Sequence, residues 1–396
     1  MRVRFTKQGL LGLLIAVPLV LSACVGSPET NNEPADSAPA QEELPAIKFG
    51  FMGPLTGPTS SAGQALLQGA ELRVEELNEA GGINGRMIEL VMCDDQSTPA
   101  VGVACVNRLV NQDKIDVLVS TLHSPIILAT ADITDRNELP SIGAGVGDYC
   151  TKGYEYLWRG TTTDAVNVDT LGSALETLAI SNIATIYQND EFGASGADAV
   201  KALPGVTELT RQAFAPGDAD WTGQILNVIK AEPDAVAVWG LGQDVGPITK
   251  QLREQGWAGP IIGSASFTFP GAIEIAQETA DGVLFAGPYY IPEVIADYPS
   301  SKIRDFLTKF VDRYAHLPAS DNAYRSYDAA GIFAEAIKRA NSTDGAAVKK
   351  AIDEISDFDG LGGTFDFVTN GCDGLQAASL FKIKNKQIVA FDGTLG

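Results

Sequence analysis

The sequence predicts an α/β protein built from two doubly wound parallel-sheet lobes joined by a three-stranded hinge. Three observations carry that prediction. Short apolar runs alternate with helical patterns from Ile47 onward, as in a parallel sheet wrapped by helices. The alternation runs through four strands and then restarts near Leu171. The body from residue 47 to 396 is near 350 residues long, beyond the roughly 250–300 at which one core usually divides.

The elements follow in order. Ile47–Met52 is an apolar strand. Ser61–Ala80 is a helix, with Leu66, Ala70, Val74 and Leu77 at helical spacing and Gly81-Gly82 ending it. Ile88–Met92 is a strand, Pro99–Asn111 a helix, Val117–Val119 a strand, Ile126–Arg136 a helix and Pro140–Ile142 a strand. The second run has helices at Leu171–Ile180, Gly193–Ala202, Trp221–Ala231 and Val245–Gln255. Its strands are Ile183–Tyr187, Glu208–Ala213, Ala235–Trp239, Ile261–Gly263 and Val283–Ala286. Three helices follow, Ser301–Tyr314, Asn322–Ala340 and Ala346–Ile355. Antiparallel strands at Thr364–Asp366, Ala378–Ile383 and Gln387–Phe391 close the chain. Residues 47–160 with 289–360 are expected to form the first lobe, and 161–288 with 361–396 the second. A cleft between hinged lobes is the natural ligand site.

The beginning of the chain addresses the compartment. Arg2, Arg4 and Lys7 precede an apolar run from Gly9 to Leu21 of 13 residues, short of the roughly 20 that span a bilayer. This is the pattern of a secretory signal over residues 1–23. Leu21-Ser22-Ala23-Cys24 resembles the bacterial lipobox, which implies a lipid on Cys24 and attachment to the outer face of the cell membrane, or in the periplasm, by that anchor alone. Residues 24–46 then form a linker with four prolines, five acids and no Lys or Arg, too polar to fold alone.

Charge and cysteine count bound the chemistry. The net charge is −22, and removing three basic residues with the signal makes it −25. So acidic a body excludes nucleic acid and anionic lipid as partners. Cys93, Cys105, Cys150 and Cys372 are an even set in an exported chain, and three pairings are possible. Cys93 closes a strand and Cys105 lies on the next helix, so that short loop is the first choice. Cys150 with Cys372 follows by elimination. No C-x-x-C supports a zinc site.

Catalysis finds no support. The chain has two histidines, His123 and His316, and no G-x-S-x-G, H-E-x-x-H or Walker A pattern. Gly240-Leu241-Gly242-Gln243-Asp244-Val245-Gly246 places its third glycine one position late for a dinucleotide loop, and reads as a tight strand-to-helix turn. Asp94-Asp95 reads as a polar strand end, and Asp357, Asp359 and Asp366 as loop carboxylates. No enzyme, cofactor or metal is expected. Strand ends are the better signal. Ser124, after Val117–Val119, can cap a helix whose free N–H groups hold an anion, with His123 beside it. Gly143 and Gly145, after Pro140–Ile142, let backbone approach a ligand.

Gly53-Pro54-Leu55-Thr56-Gly57, Asn78-Glu79-Ala80-Gly81-Gly82-Ile83-Asn84-Gly85, Asp94-Asp95-Gln96, Asp190-Glu191-Phe192-Gly193 and Gln255-Gly256 occur in that order. Together they resemble the branched-chain amino acid (leucine/isoleucine/valine) binding proteins of type I periplasmic fold, over nearly the whole body. The resemblance implies a solute-binding protein of an ABC importer, a monomer that closes on a small ligand and meets permease subunits. A surface sensor of the same fold is the alternative. By that resemblance Ser124 takes the ligand carboxylate, Gly143 offers a backbone group, and Gly145 stands where the family has threonine. Asp164 takes the ligand ammonium, and Phe192 is the cleft aromatic. The sequence departs where Ala62 and Leu241 replace expected aromatics and Ala265 an expected acid. These departures widen the ligand to other amino acids, amides or aromatic carboxylates.

Overall fold

The computed structural model describes residues 45–395 of the chain. The secretory signal, Cys24 and all but the last two residues of the linker lie outside the described residues.

The first sheet gathers β1 (Ile47–Gly53), β2 (Ile88–Asp94), β3 (Val117–Val119), β4 (Ser141–Gly143) and β5 (Leu157–Arg159) in the order β2-β1-β3-β4-β5. All neighbours are parallel. Helices α1 (Ser60–Glu79), α2 (Pro99–Arg108) and α3 (Ser124–Arg136) form the crossovers between the first four strands. A parallel strand covered on both faces reads as a continuous apolar run, and Ile47, Phe49, Phe51 and Met52 are accordingly all buried.

The second sheet takes β6 (Asn182–Gln188), β7 (Thr207–Phe214), β8 (Ala235–Trp239), β9 (Ile261–Gly263) and β10 (Val283–Gly287) as parallel strands. Helices α4 (Asp164–Thr177), α5 (Glu191–Ala202), α6 (Thr222–Lys230), α7 (Gly242–Glu254) and α8 (Pro270–Ala276) alternate with them. The chain then returns to the first lobe as α9 (Ser301–Tyr314), α10 (Asn322–Ala340) and α11 (Gly345–Asp353). Phe333 of α10 meets Phe49 edge-on, with ring centroids 6.0 Å apart, and Ala329, Ala330, Ala336 and Ile337 join the same core. A two-stranded ribbon, β11 (Phe358–Asp359) with β12 (Thr364–Phe365), and the short α12 (Phe367–Asn370) precede β13 (Ser379–Lys384) and β14 (Gln387–Ala390). These last two strands extend the second sheet antiparallel beyond β10, in the order β14-β13-β10-β9-β8-β6-β7. The chain thus passes between the sheets three times: after β5, after β10 and before β13.

Several elements differ from the sequence expectation. Helix α4 begins at Asp164 rather than Leu171, because the Thr163 hydroxyl accepts the Val166 N–H and caps the helix there. Strand β5 is only three residues long, too short to show periodicity. Helix α2 stops at Arg108 and widens into a five-residue turn over Leu109–Asp113. Phe365, Phe367 and Leu375 are buried in the first-lobe core, so the chain stays on that lobe well beyond residue 360. Among the described residues no helix is long and apolar enough to cross a membrane.

Both expected disulfides are present. Cys93–Cys105 ties β2 to α2, and Cys150–Cys372 ties the segment after β4 to the chain after α12, 222 residues later. Closing so long a loop removes much unfolded-state entropy. Replacing Cys150 and Cys372 together by serine is therefore expected to lower unfolding stability by about 2–5 kcal/mol in urea titrations. Replacing the Cys93 pair, which closes only a short loop, should cost less.

Candidate functional site

Both lobes line one cavity of about 450 Å³. The first lobe contributes Thr59, Ser97, His123, Ser124, Asn322 and Arg325, and the second contributes Gln188, Asp190, Phe192, Leu241, Ala265 and Phe269. Three of the sequence-predicted residues, Ser124, His123 and Phe192, thus meet in one place. Gly143, Gly145 and Asp164 are not among the lining residues.

Ser124 opens α3 beside Pro125, which supplies no N–H. Its hydroxyl oxygen accepts the Gly147 N–H at 3.1 Å, so its own hydrogen remains to be donated. That geometry needs glycine nearby: a Cβ on Gly145 or on Gly147 would lie 2.8 Å from the Ser124 Oγ. Gly145 therefore shapes the wall behind the serine, and Gly143, at the end of β4, leaves room for Tyr149. Their carbonyls accept the Tyr149 hydroxyl at 3.3 and 3.0 Å. The His123 Nε2 lies 3.1 Å from the Thr59 hydroxyl, which lies 2.7 Å from that of Ser97. Burial holds the His123 ring down at about 4, so it is neutral near pH 7.

Arg325 and Asn322 begin α10 and were not singled out from sequence. Arg325 is 6% exposed. Its Nε and Nη2 donate to the Asp321 carboxylate at 3.1 and 2.6 Å, and its Nη1 to the Ala144 carbonyl at 2.7 Å. A guanidinium has five N–H groups, so two are left for a ligand. Asn322 is buried and its Oδ1 has no hydrogen-bond partner. The available signal was a cation and an amide within a helix whose other residues are largely small or aromatic.

The second-lobe wall is more apolar. Phe192 sits on α5, whose N-cap Asp190 accepts the Gly193 N–H at 2.9 Å. Leu241 and Ala265, two of the departures, both face the cavity. Phe269 reaches onto the first-lobe core and separates the cavity from an open groove of about 1300 Å³ that Ala62 lines. The second lobe thus supplies an aromatic near the place where the first lobe has alanine.

Asp164 lies behind this wall. Its Oδ1 accepts the Trp239 indole N–H and its Oδ2 the Ser195 hydroxyl, both at 2.9 Å. Burial raises its carboxyl to about 7, against the lowering effect of those two hydrogen bonds. A carboxyl with a raised folded pKa contributes full stability below its unfolded value of 3.8 and loses it as pH rises through about 7. Asp164→Asn can keep both bonds, its oxygen accepting from Trp239 and its nitrogen donating to Ser195. Its unfolding free energy should exceed that of the parent at about pH 8 and converge with it near pH 4, measured by denaturant titration at each pH.

Known proteins share this fold. A family model described as periplasmic binding protein matches residues 46–387. The Leu/Ile/Val-binding protein homolog 3 of Brucella melitensis biotype 1 is 26% identical over 353 residues, covering 87% of this chain and 94% of that protein. The Leu/Ile/Val-binding protein of Escherichia coli strain K12 is 27% identical over 338 residues, covering 82% and 92%. The branched-chain amino acid transporter substrate binding protein LivJ of Streptococcus pneumoniae, solved in complex with isoleucine, is 25% identical with a TM-score of 0.78 and covers 87% of this chain and 98% of its own. Each of these relatives is named as a binding protein. This chain thus belongs to the periplasmic binding protein family and has its type I fold.

Proposed function

We propose that this chain is an exported lipoprotein, anchored through Cys24, that captures an amino acid or similar small carboxylated compound between its lobes for an ABC importer. The observation that carries the reading is the pairing of the free Ser124 hydrogen with two unused Arg325 N–H groups on one wall of an otherwise largely apolar cavity. The carboxylate accepts from Ser124 and Arg325, in charge-assisted bonds each worth about 1.5–3 kcal/mol. Phe192, Leu241 and Phe269 cover the apolar part. Gly143 and Gly145 keep the wall thin, neutral His123 holds the β1–α1 connection against α3, and Asp164 fixes Trp239 behind α5. The names of the relatives, which specify leucine, isoleucine and valine, support an amino acid as ligand. The closed body, acting as a monomer, then presents both lobe surfaces to permease subunits.

A thermal-shift screen tests this reading. The purified body is incubated with L-leucine, L-valine, L-phenylalanine, L-glutamate and the corresponding amides. A carboxylate at 100 times its Kd should stabilise by about 2.7 kcal/mol. The matching amide should give a much smaller shift, and Ser124→Ala should weaken binding by about tenfold. Equal shifts from acids and amides would refute the carboxylate anchor.

A further inference from the structure

Ala265 lines the cavity after β9 and offers no charge to the amino group of a ligand. The second lobe carries negative charge elsewhere. Asp190 lines the cavity at the start of α5. One of its oxygens accepts the Gly193 N–H and the other the Gln188 amide. Each carboxylate oxygen has two acceptor positions, so both retain capacity. The Gln188 carbonyl in turn accepts the Leu241 N–H at 3.4 Å, which joins the ends of β6 and β8.

Asp244 stands one residue beyond the cavity-lining Gln243, in the first turn of α7. It is 2% exposed and its Oδ2 has no hydrogen-bond partner. Asp218 follows Pro216 and Gly217, which also line the cavity. Burial first, then the charges of Asp190 and Asp218, push the Asp244 carboxyl up to about 7. Among the described residues no ion pair joins a Lys, Arg or His to Asp190, Asp218 or Asp244. Asp190 therefore lines the cavity without a cation partner among the described residues, and the buried Asp244 lies near enough to feel the charges of Asp190 and Asp218.

The start of α5 also lies close to the proposed carboxylate anchor. A Cβ on Gly147 would lie 2.8 Å from the Ser124 Oγ and 3.4 Å from the Glu191 carbonyl oxygen. The start of α5 and the ligand serine thus flank a single glycine.

We propose that Asp190, backed by Asp218 and Asp244, is the second-lobe acceptor for the amino group of a zwitterionic amino acid. This rests on the small-carboxylate reading of the cleft and adds what selects within that class. Asp190 makes the contact, while Asp218 and Asp244 act through the potential they impose on it.

Isothermal calorimetry on the full body tests this with two matched pairs: L-leucine against 4-methylpentanoate, and L-phenylalanine against 3-phenylpropanoate. Each pair differs only in the amino group. Within the pair that the cavity accepts, the amino acid should bind at least about tenfold more tightly, the scale of one charge-assisted bond. Asp190→Asn retains a good helix cap. It should bring the ratio close to one with the deaminated acid still bound, a result that loss of folding would not give. Asp218→Asn, in a loop, should reduce the ratio in the same direction and serves where the first variant is poorly folded. A ratio near one in the parent chain, or one that persists in both variants, overturns the proposal and leaves the carboxylate reading standing. Absence of binding by all four compounds removes the carboxylate reading and this proposal with it.

Discussion

Arg159 ends β5 with no solvent exposure. Its Nη1 and Nη2 donate to the carbonyls of Gly145 and Gly147 at 2.7 Å each, and its Nε to the Asp373 carboxylate at 2.6 Å. The guanidinium lies 4.0 Å from the centre of the Tyr149 ring. A buried cation is tolerable only when its donors are matched in this way, and removing a partner of such a pair costs about 3–5 kcal/mol. The consequences run outward from it. Asp373 follows Cys372, which is bonded to Cys150 and whose carbonyl accepts the Arg159 N–H at 3.0 Å. Gly147, held by its carbonyl, gives its N–H to Ser124. The end of the first sheet, the long-range disulfide, the glycine loop and the proposed ligand serine are one connected unit.

Arg325 repeats the device from the other side. It joins Asp321 to the Ala144 carbonyl, so two arginines hold the carbonyls of residues 144, 145 and 147. A loop of small residues has little side-chain packing to fix it, and charge-assisted bonds to its backbone take that role. Arg159 is fully enclosed by protein, whereas Arg325 lines the cavity. The difference separates a residue that builds the wall from one that can also serve as its surface.

Much of this was legible in the sequence because it is local. Val117–Val119, Ala235–Trp239, Ser301–Tyr314 and Asn322–Ala340 begin and end where their apolar patterns do. The cysteine pairing followed from one short loop, and Ser124 from its place between a strand and a helix. What escaped depends on partners distant in the chain. The role of Asp164 turns on Trp239, 75 residues later, and that of Arg325 on Ala144, 181 residues earlier. No periodicity encodes such pairs. Phe269 escaped for a related reason: it belongs to the second lobe by sequence but packs on the core of the first.

On the proposed reading closure of the lobes needs a source of free energy, and apart from Phe269 on the first-lobe core the polar contacts across the mouth supply little of it. The ion pair between Lys152 of the first lobe and Glu191 of the second spans 3.6 Å and is solvent-exposed, a kind of contact worth about 0–1 kcal/mol. The Asp164 N–H reaches the Val146 carbonyl at 3.1 Å at the crossing itself, where hinge motion is smallest and a bond distinguishes open from closed least. Moving an equilibrium from 1:99 to 99:1 takes about 5.5 kcal/mol. On the proposed reading, a ligand anchored at Ser124 and Arg325 meets Phe192, Leu241 and Asp190 only when the second lobe is in place. One or two charge-assisted bonds at about 1.5–3 kcal/mol each, with apolar burial at about 25 cal/mol per Å², reach that scale. The free energy that distinguishes the states then resides in the ligand's second-lobe contacts, so a compound that satisfies the first lobe alone would bind without closing the body.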